Sequence, residues 1–484
     1  MQKWPRNDTF ARITRKPLGK RKKLPLLEKV IIEDIGAEGR ALARVDQVVV
    51  FVKGAVPGDV ADLQVTRKKG RYMEARVVHY HRYSEQRTDP FCDHFGICGG
   101  CRWQHLPYDR QLHYKQQQVV DAFRHIAGME VPEILPILGS DPVTRYRNKL
   151  EYTFSNHRWL LEEEAASGRP LAHTNAAGLH VPGRFDKVVD IHTCHLQEEP
   201  TNEVRNYLRD RALEMGLTFY DHRTNEGFLR NLVIRNSTLG EVMVILSVQF
   251  DRPELYELLE GLAGRFPEFT SLMYTINPKK NEALYDLDIR TYRGRDHIFE
   301  KLEDLTFKIG PKSFFQTNSH QALNLYRTAR DFANLRGDET VYDLYTGTGT
   351  IANFIASSAG RVVGIESVPE SIEDARVNSE INGITNTEFF AGDMKEIFTD
   401  TFILENGTPE VILTDPPRAG MHARVVGQIL KIAPQRIVYV SCNPATQARD
   451  VEMLGSAYDL VRIQPVDMFP HTYHVENVAL LEKR

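Results

Sequence analysis

The 484-residue chain has no run of about 18 apolar residues, so no stretch of it reads as a membrane-spanning helix. Its longest apolar runs, such as 48–52 and 242–246, are the length of a strand. The start lacks the apolar centre of a secretory signal, and cysteine is scarce, with five in the whole chain. An odd, sparse set without a leader predicts a reducing, cytoplasmic setting and no disulfide framework. Internal repeats and long low-complexity segments are missing as well. Hydrophobic residues at 42% and charged residues at 26% exclude fibrous and wholly disordered classes. The length suggests about three domains. Nothing calls for a membrane or an obligate protein partner.

Net charge is only −4, which by itself argues against a polyanionic partner. Its distribution reverses that reading. Residues 1–90 carry 20 Lys and Arg against 11 Asp and Glu, and the remainder carries 41 against 54. A basic front on an acidic body suits the phosphate backbone of a nucleic acid. Residues 1–23 show no hydrophobic periodicity and are expected to form a basic, disordered tail. From 24 to 88, short β-like runs (27–34, 41–52, 60–65 and 73–80) separated by glycines predict a small β-barrel. Arg67, Lys68, Lys69 and Arg71 surround one of its turns. Residues 89–310 are expected to form a mixed α+β central domain, irregular at first and helical from about 108 to 126. From 311 to 484, helix-length segments alternate with apolar runs at 339–345, 361–366, 388–391, 411–415 and 436–441. That alternation predicts an α/β, doubly wound, largely parallel sheet.

Residues 343–350 read Asp-Leu-Tyr-Thr-Gly-Thr-Gly-Thr, between a strand and a helix. Glycines at such a turn let a ligand approach the backbone. Neither Gly-Lys-Ser/Thr nor Gly-x-Gly-x-x-Gly is present, which argues against a nucleotide triphosphate or a dinucleotide. An acid opening the loop suits a cationic ligand without phosphates, such as S-adenosylmethionine. Glu366, Asp393 and Asp415 each fall near a predicted strand end, where a parallel sheet places its ligands. Asp-Pro-Pro-Arg (415–418) stiffens one strand end, since its prolines cannot join the ladder. Ser-Cys-Asn-Pro (441–444) puts Cys442 at the next, and Glu476 lies at the start of the last strand. A soft nucleophile and a carboxylate base thus have one cleft to share. Cys92, Cys98 and Cys101 form C-x5-C-x2-C, with Cys194 the available fourth thiolate. An iron–sulfur cluster takes four cysteines, and so does structural zinc, for which His94 and His105 are further ligands.

Together with Phe-Phe-Gln-Thr-Asn (314–318) and Asp-Met-Phe-Pro-His-Thr (467–472), these motifs resemble the RNA uracil-C5 methyltransferases. The nearest branch is the bacterial 23S ribosomal RNA enzymes that carry a [4Fe–4S] cluster, and the likeness covers nearly everything after about residue 25. It implies a class I S-adenosylmethionine-dependent methyltransferase fold and an N-terminal TRAM (OB-like) barrel. It also implies cofactor contacts at Gln316, Tyr345, Glu366 and Asp415, a nucleophile at Cys442, a general base at Glu476, and cluster ligation by Cys92, Cys98, Cys101 and Cys194. The expected reaction is C5-methylation of a uridine in 23S ribosomal RNA through a cysteine–C6 adduct, with His471 or Asp467 as reserve bases. The family loop often has cysteine where Thr346 stands, and the segment 160–171 has no assignment. Three alternatives stay open. They are transfer-RNA uracil methylation, amino-group methylation suggested by the Pro-Pro turn, and an iron–sulfur RNA-binding protein with a vestigial methyltransferase domain.

Overall fold

The computed structural model describes residues 24–128, 133–161, 164, 166 and 173–484. The tail 1–23 and most of the segment 160–171 lie outside the described residues. The chain divides into two compact units, one comprising residues up to Ile35 with Arg40–Glu85, the other Gly36–Gly39 with Gln86–Arg484.

Among the described residues the first unit holds six strands: β1 (Leu26–Ile31), β2 (Asp34–Ile35), β3 (Ala41–Val45), β4 (Val48–Lys53), β5 (Val60–Lys69) and β6 (Tyr72–Arg82). They form one sheet in the order β1-β5-β6-β4-β3-β2, about a core that includes Ala43, Val50, Leu63 and Ala75. The run 41–52, expected as one strand, is a hairpin. Asp46 and Gln47 take positive φ (49° and 65°) and turn β3 back onto β4. Arg67, Lys68, Lys69 and Arg71 are exposed around the β5–β6 turn.

The second unit opens with an irregular stretch and helix α1 (Tyr108–Ala122), which continues as a π-turn to Ala127. A seven-stranded sheet follows: β7 (Lys149–Ser155), β8 (Ala176–His180), β9 (Val188–Asp190), β10 (Leu229–Asn236), β11 (Val242–Val248), β12 (Ser271–Ile276) and β13 (Ile289–Gly294). Its order is β13-β12-β11-β10-β7-β8-β9, antiparallel except for β11 with β12. Helices α2 (Thr201–Glu214) and α3 (Pro253–Arg265) bury Leu208 and Leu258 against it. A hairpin, β14 (Ile298–Leu302) and β15 (Leu305–Ile309), leads to helix α4 (Ser319–Ala333).

The last sheet contains β16 (Thr340–Leu344), β17 (Arg361–Glu366), β18 (Thr387–Ala391), β19 (Val411–Thr414), β20 (Arg436–Ser441), β21 (Tyr458–Val466) and β22 (Glu476–Lys483). It runs β18-β17-β16-β19-β20-β22-β21, parallel but for antiparallel β22. This doubly wound order is the class I methyltransferase fold. Alternate side chains divide between two cores, with Val341, Leu413 and Val438 on one face and Tyr342, Ile412 and Ile437 on the other. Between the strands lie α5 (Thr350–Ala356), α6 (Pro369–Ile381), two short helices α7 (Met394–Ile397) and α8 (Asp400–Asn406), α9 (Ala423–Ile432) and α10 (Pro444–Leu454).

Helix α1, within the expected central segment 89–310, packs on this last sheet. Val119 and Phe123 share a core with Tyr342 and Ile437, and burying each is worth about 1.5–3 kcal/mol. Beyond it, Ile134 and Leu138 bridge to Ile463 and Val466 of β21. No helix among the described residues is long and apolar enough to cross a membrane.

Candidate active site

One cleft of about 1320 Å³ in the second unit is lined by Gln316, Tyr345, Glu366, Asp415, Cys442 and Glu476. Tyr345, Glu366, Asp415 and Cys442 meet because the parallel strands β16, β17, β19 and β20 end on the same side of their sheet, where Glu476 opens the antiparallel β22, and Gln316 joins them from the loop before α4. Tyr345 leaves β16 with φ 65°, and Gly347 and Gly349 follow at 56° and 72°. A Cβ on Gly349 would lie 2.8 Å from the Ala375 Cβ, so only glycine fits where the loop enters α5. Glu366 anchors this loop. Its carboxylate accepts from the Gly347 N–H (3.2 Å) and from the Ser367 and Val368 N–H groups (2.6 and 3.0 Å).

Thr346, the departure from the family loop, has a definite task. Its hydroxyl donates to Asp343 Oδ2 (2.5 Å), which also accepts from the Ala352 N–H of α5 (3.1 Å). Burial pushes the Asp343 carboxyl up to about 7 in spite of these bonds, with Glu366 adding to the rise. Burial and then the Asp343 charge push Asp415 up to about 7. Burial and then Asp415 push Glu476 up to about 8, against the pull of Arg418. Two buried carboxyls, Asp415 and Glu476, thus line the cleft beside Arg418, and the buried Asp343 acts on Asp415. Such a site gains from a cationic ligand.

Cys442 stands where β20 ends. Burial, then the charges of Glu476 and Asp415, push its thiol up to about 11, and Arg418 pulls the other way. Arg418 is itself held. Its Nη2 donates to His474 Nδ1 (3.0 Å), and its carbonyl accepts from Asn443 Nδ2 (3.0 Å) and the Thr446 hydroxyl (3.2 Å). Burial, then the charge of Arg418, bring His474 down to about 4, so the ring is neutral and Nδ1 is free to accept. The sequence shows Arg418 inside the Asp-Pro-Pro-Arg motif without a task, and His474 lies two residues beyond the Asp-Met-Phe-Pro-His-Thr motif.

The reserve bases do not reach the cleft. Asp467 is buried in an ion pair with Lys115 (2.5 Å) and accepts from the Tyr108 hydroxyl (2.9 Å). His471 Nδ1 lies 3.2 Å from Gln111 Nε2, and burial brings that ring down to about 4. Asp393 is outside the cleft too, accepting from the Lys395 N–H to cap α7.

The other four cysteines line a second, smaller pocket, and none forms a disulfide. Burial pushes Cys98 and Cys101 up to about 12 and raises Cys92. The loop around them is pinned by the Cys92 N–H to Gln104 Oε1 (3.2 Å) and the Cys194 N–H to Asn202 Oδ1 (2.7 Å). Four thiols facing one cavity fit a thiophilic metal group, which would keep them as thiolates. Arg102, next after Cys101, lines the main cleft. Arg102 and Trp103 N–H both donate to the His471 carbonyl (2.8 and 3.0 Å).

Comparison with known proteins gives matching relatives. Residues 294–484 match the family model described as tRNA (Uracil-5-)-methyltransferase, and residues 28–78 match the TRAM domain. The chain is 56% identical to an uncharacterized RNA methyltransferase of Bacteroides thetaiotaomicron, over 93% of this chain and 100% of the relative. It is 42% identical to one of Chlorobaculum tepidum, over 90% and 91%. Among solved structures it is similar to the Pyrococcus abyssi tRNA (uracil-54, C5)-methyltransferase in complex with S-adenosyl-L-homocysteine. That likeness has a TM-score of 0.72 and 30% identity, and covers 94% of this chain and 100% of the other.

Proposed function

The chain belongs to the RNA uracil-5-methyltransferase family, and from that premise we propose that it methylates C5 of a uridine in 23S ribosomal RNA. The observation that carries the reading is the meeting of Cys442 with the buried carboxyls of Glu476 and Asp415 in one cleft. S-adenosylmethionine supplies a methyl group on a sulfonium, and its positive charge suits the part of the cleft that carries Glu366, Asp415 and Glu476. Glu366 is placed to accept from ribose hydroxyls, and Gln316, Tyr345 and Asp415 line the rest of that wall.

Uracil C5 is a poor nucleophile. The Cys442 thiolate adds to C6, and the C5=C6 electron pair becomes an enolate able to attack the sulfonium methyl. The C5–CH3 bond forms as the S–CH3 bond breaks. Glu476 then takes the proton from C5, the double bond returns, and the Cys442 sulfur leaves from C6. The thiolate is the reacting form, and Arg418, held by neutral His474, is the group that favours it. The target base must leave its stack to enter the cleft, at a cost of a few kcal/mol. The TRAM domain and the exposed basic turn at Arg67–Arg71 are suited to hold the flanking RNA.

Cys92, Cys98, Cys101 and Cys194 are assigned to a [4Fe–4S] cluster, which would shape the irregular segment 89–107. Four cysteines that line one pocket, spaced C-x5-C-x2-C with a distant fourth rather than in the paired short spacings usual for zinc, support that choice. The cysteine set favours the ribosomal branch, and the likeness to the Pyrococcus abyssi enzyme favours transfer RNA as the second reading. Mapping 5-methyluridine in ribosomal and transfer RNA from cells with and without the gene separates the two. Loss of a ribosomal 5-methyluridine, restored by the wild type and not by Cys442→Ala, is the expected result. Loss confined to transfer RNA refutes the ribosomal assignment.

A further inference from the structure

We propose that His180, His222 and Glu282 form a second, separate metal site of the zinc type, with Nε2 of both imidazoles and the Glu282 carboxylate as ligands. His222 Nε2 lies 3.0 Å and His180 Nε2 3.8 Å from the same oxygen, Glu282 Oε1. All three donor atoms fall within 4.8 Å of one another. Zinc bonds to imidazole nitrogen and carboxylate oxygen of about 2.0–2.2 Å, set tetrahedrally, need donors about 3.3–3.5 Å apart. The observed separations bracket that value. The cysteine sulfurs belong to a different pocket, so this donor set is distinct in place and in chemistry.

The three ligands come from three segments, and each is locked independently of the others. His180 ends β8, and its carbonyl accepts from the Gly99 N–H (3.2 Å). His222 sits in a turn whose Asp221 carboxylate accepts from the Arg223 and Thr224 N–H groups and from Asn156 Nδ2 (2.8, 3.2 and 3.1 Å). Glu282 follows a strap held by Arg230. That guanidinium donates to the carbonyls of Asn277 (2.8 Å), Lys279 and Asn281 (3.0 Å), while stacking 4.0 Å over Tyr220. Arg230 therefore fixes the backbone beside Glu282 and leaves the carboxylate to the two histidines. Neither histidine has a partner at Nδ1, so both rings present their polar function at Nε2.

Two histidines and a carboxylate make an open, three-ligand set, with a fourth position left for an oxygen donor. His180 is part of the main cleft wall, alongside Arg147 and Lys149. A dication there would add to that positive wall, where an RNA phosphate oxygen is the natural fourth ligand. The proposal does not depend on which RNA is methylated.

The test uses the full chain, purified without oxygen and given one equivalent of Zn²⁺. Zinc-edge X-ray absorption is expected to show nitrogen and oxygen neighbours at about 2.0 Å, against about 2.3 Å for sulfur. Competition with a chromophoric chelator is expected to show at least a tenfold loss of zinc affinity in His222→Ala and in Glu282→Gln. S-adenosylmethionine binding, unchanged in both, reports that the fold is intact. A sulfur shell, zinc affinity equal in wild type and variants, or no retained zinc overturns the proposal. In that case the three residues form only a hydrogen-bonded cluster. The wild-type spectrum decides even if a variant fails to fold.

Discussion

Replacing Glu476 by Gln isolates the release step from the steps before it. Burial and the neighbouring Asp415 place the carboxyl at about 8, so about one in ten is ionised at pH 7. Turnover limited by this base rises about tenfold from pH 6 to pH 7 and levels off above about pH 8. Gln keeps the shape but cannot accept the C5 proton. A positioned base contributes about 10²–10⁴-fold, so its loss adds about 3–5 kcal/mol to the release barrier. Addition and methyl transfer do not need that base. With RNA and S-adenosylmethionine in excess, most of the variant should therefore collect as a covalent protein–RNA species. Denaturing electrophoresis with labelled RNA reads it as a slow band, absent from the Cys442→Ala/Glu476→Gln double variant. The same substitution removes a charge that raises the Cys442 thiol, so the variant should alkylate with iodoacetamide faster than wild type at pH 9. Normal turnover with the wild-type pH profile, or a band that persists without Cys442, refutes the assignment.

Further outcomes follow from the buried acids and the cysteines. Asp415 rises from 3.8 to about 7 on burial, so its stabilisation is complete below about pH 4 and lost as pH climbs through 7. Asp415→Asn escapes that loss: it should melt above the ligand-free wild type at pH 8, by up to about 4 kcal/mol of stability, with the gain gone near pH 4 and S-adenosylmethionine binding abolished. A lower Tm at pH 8 contradicts the reasoning. Thr346→Val removes the hydroxyl that donates to Asp343 and should cost about 1–3 kcal/mol in denaturant unfolding, whereas a neutral result makes that bond idle. Protein prepared without oxygen should be brown with about four irons per chain, and Cys98→Ser should lose the metal and weaken RNA binding more than cofactor binding. Colourless protein holding stoichiometric zinc in the cysteine pocket contradicts the cluster.

The residues that could be read from sequence are those whose neighbours in the chain already state their position. Cys442 follows an apolar run and precedes Asn-Pro, and Asp415 precedes two prolines, so each announces a strand end, and parallel strand ends converge. The Cys92–Cys101 cluster is legible for a similar reason, since its spacing is local. Contacts between distant segments carry no such signal. Lys115 looks like an ordinary helix lysine, yet it is fully buried against Asp467, 352 positions away. His474 reads as one histidine of two in a loop until Arg418 is brought to it from another strand end. The run 41–52 looked continuous because Asp46 and Gln47 lack the glycine that usually marks a tight hairpin.

The segment from Asp467 to His474 makes its shape out of earlier parts of the chain. Its His471 carbonyl is taken by Arg102 and Trp103, the Pro470 carbonyl by the Tyr146 hydroxyl, and the Asp467 charge by Lys115. A fragment 311–484, cut out as a free-standing methyltransferase, would leave all three unmet and an unpaired carboxylate in its core, a loss of several kcal/mol. The C-terminal sheet is thus not a module that can be exchanged between relatives by itself. During synthesis the order is favourable, because the partners emerge first and wait for the last strand. A graft that brings the sheet must bring 86–146 with it.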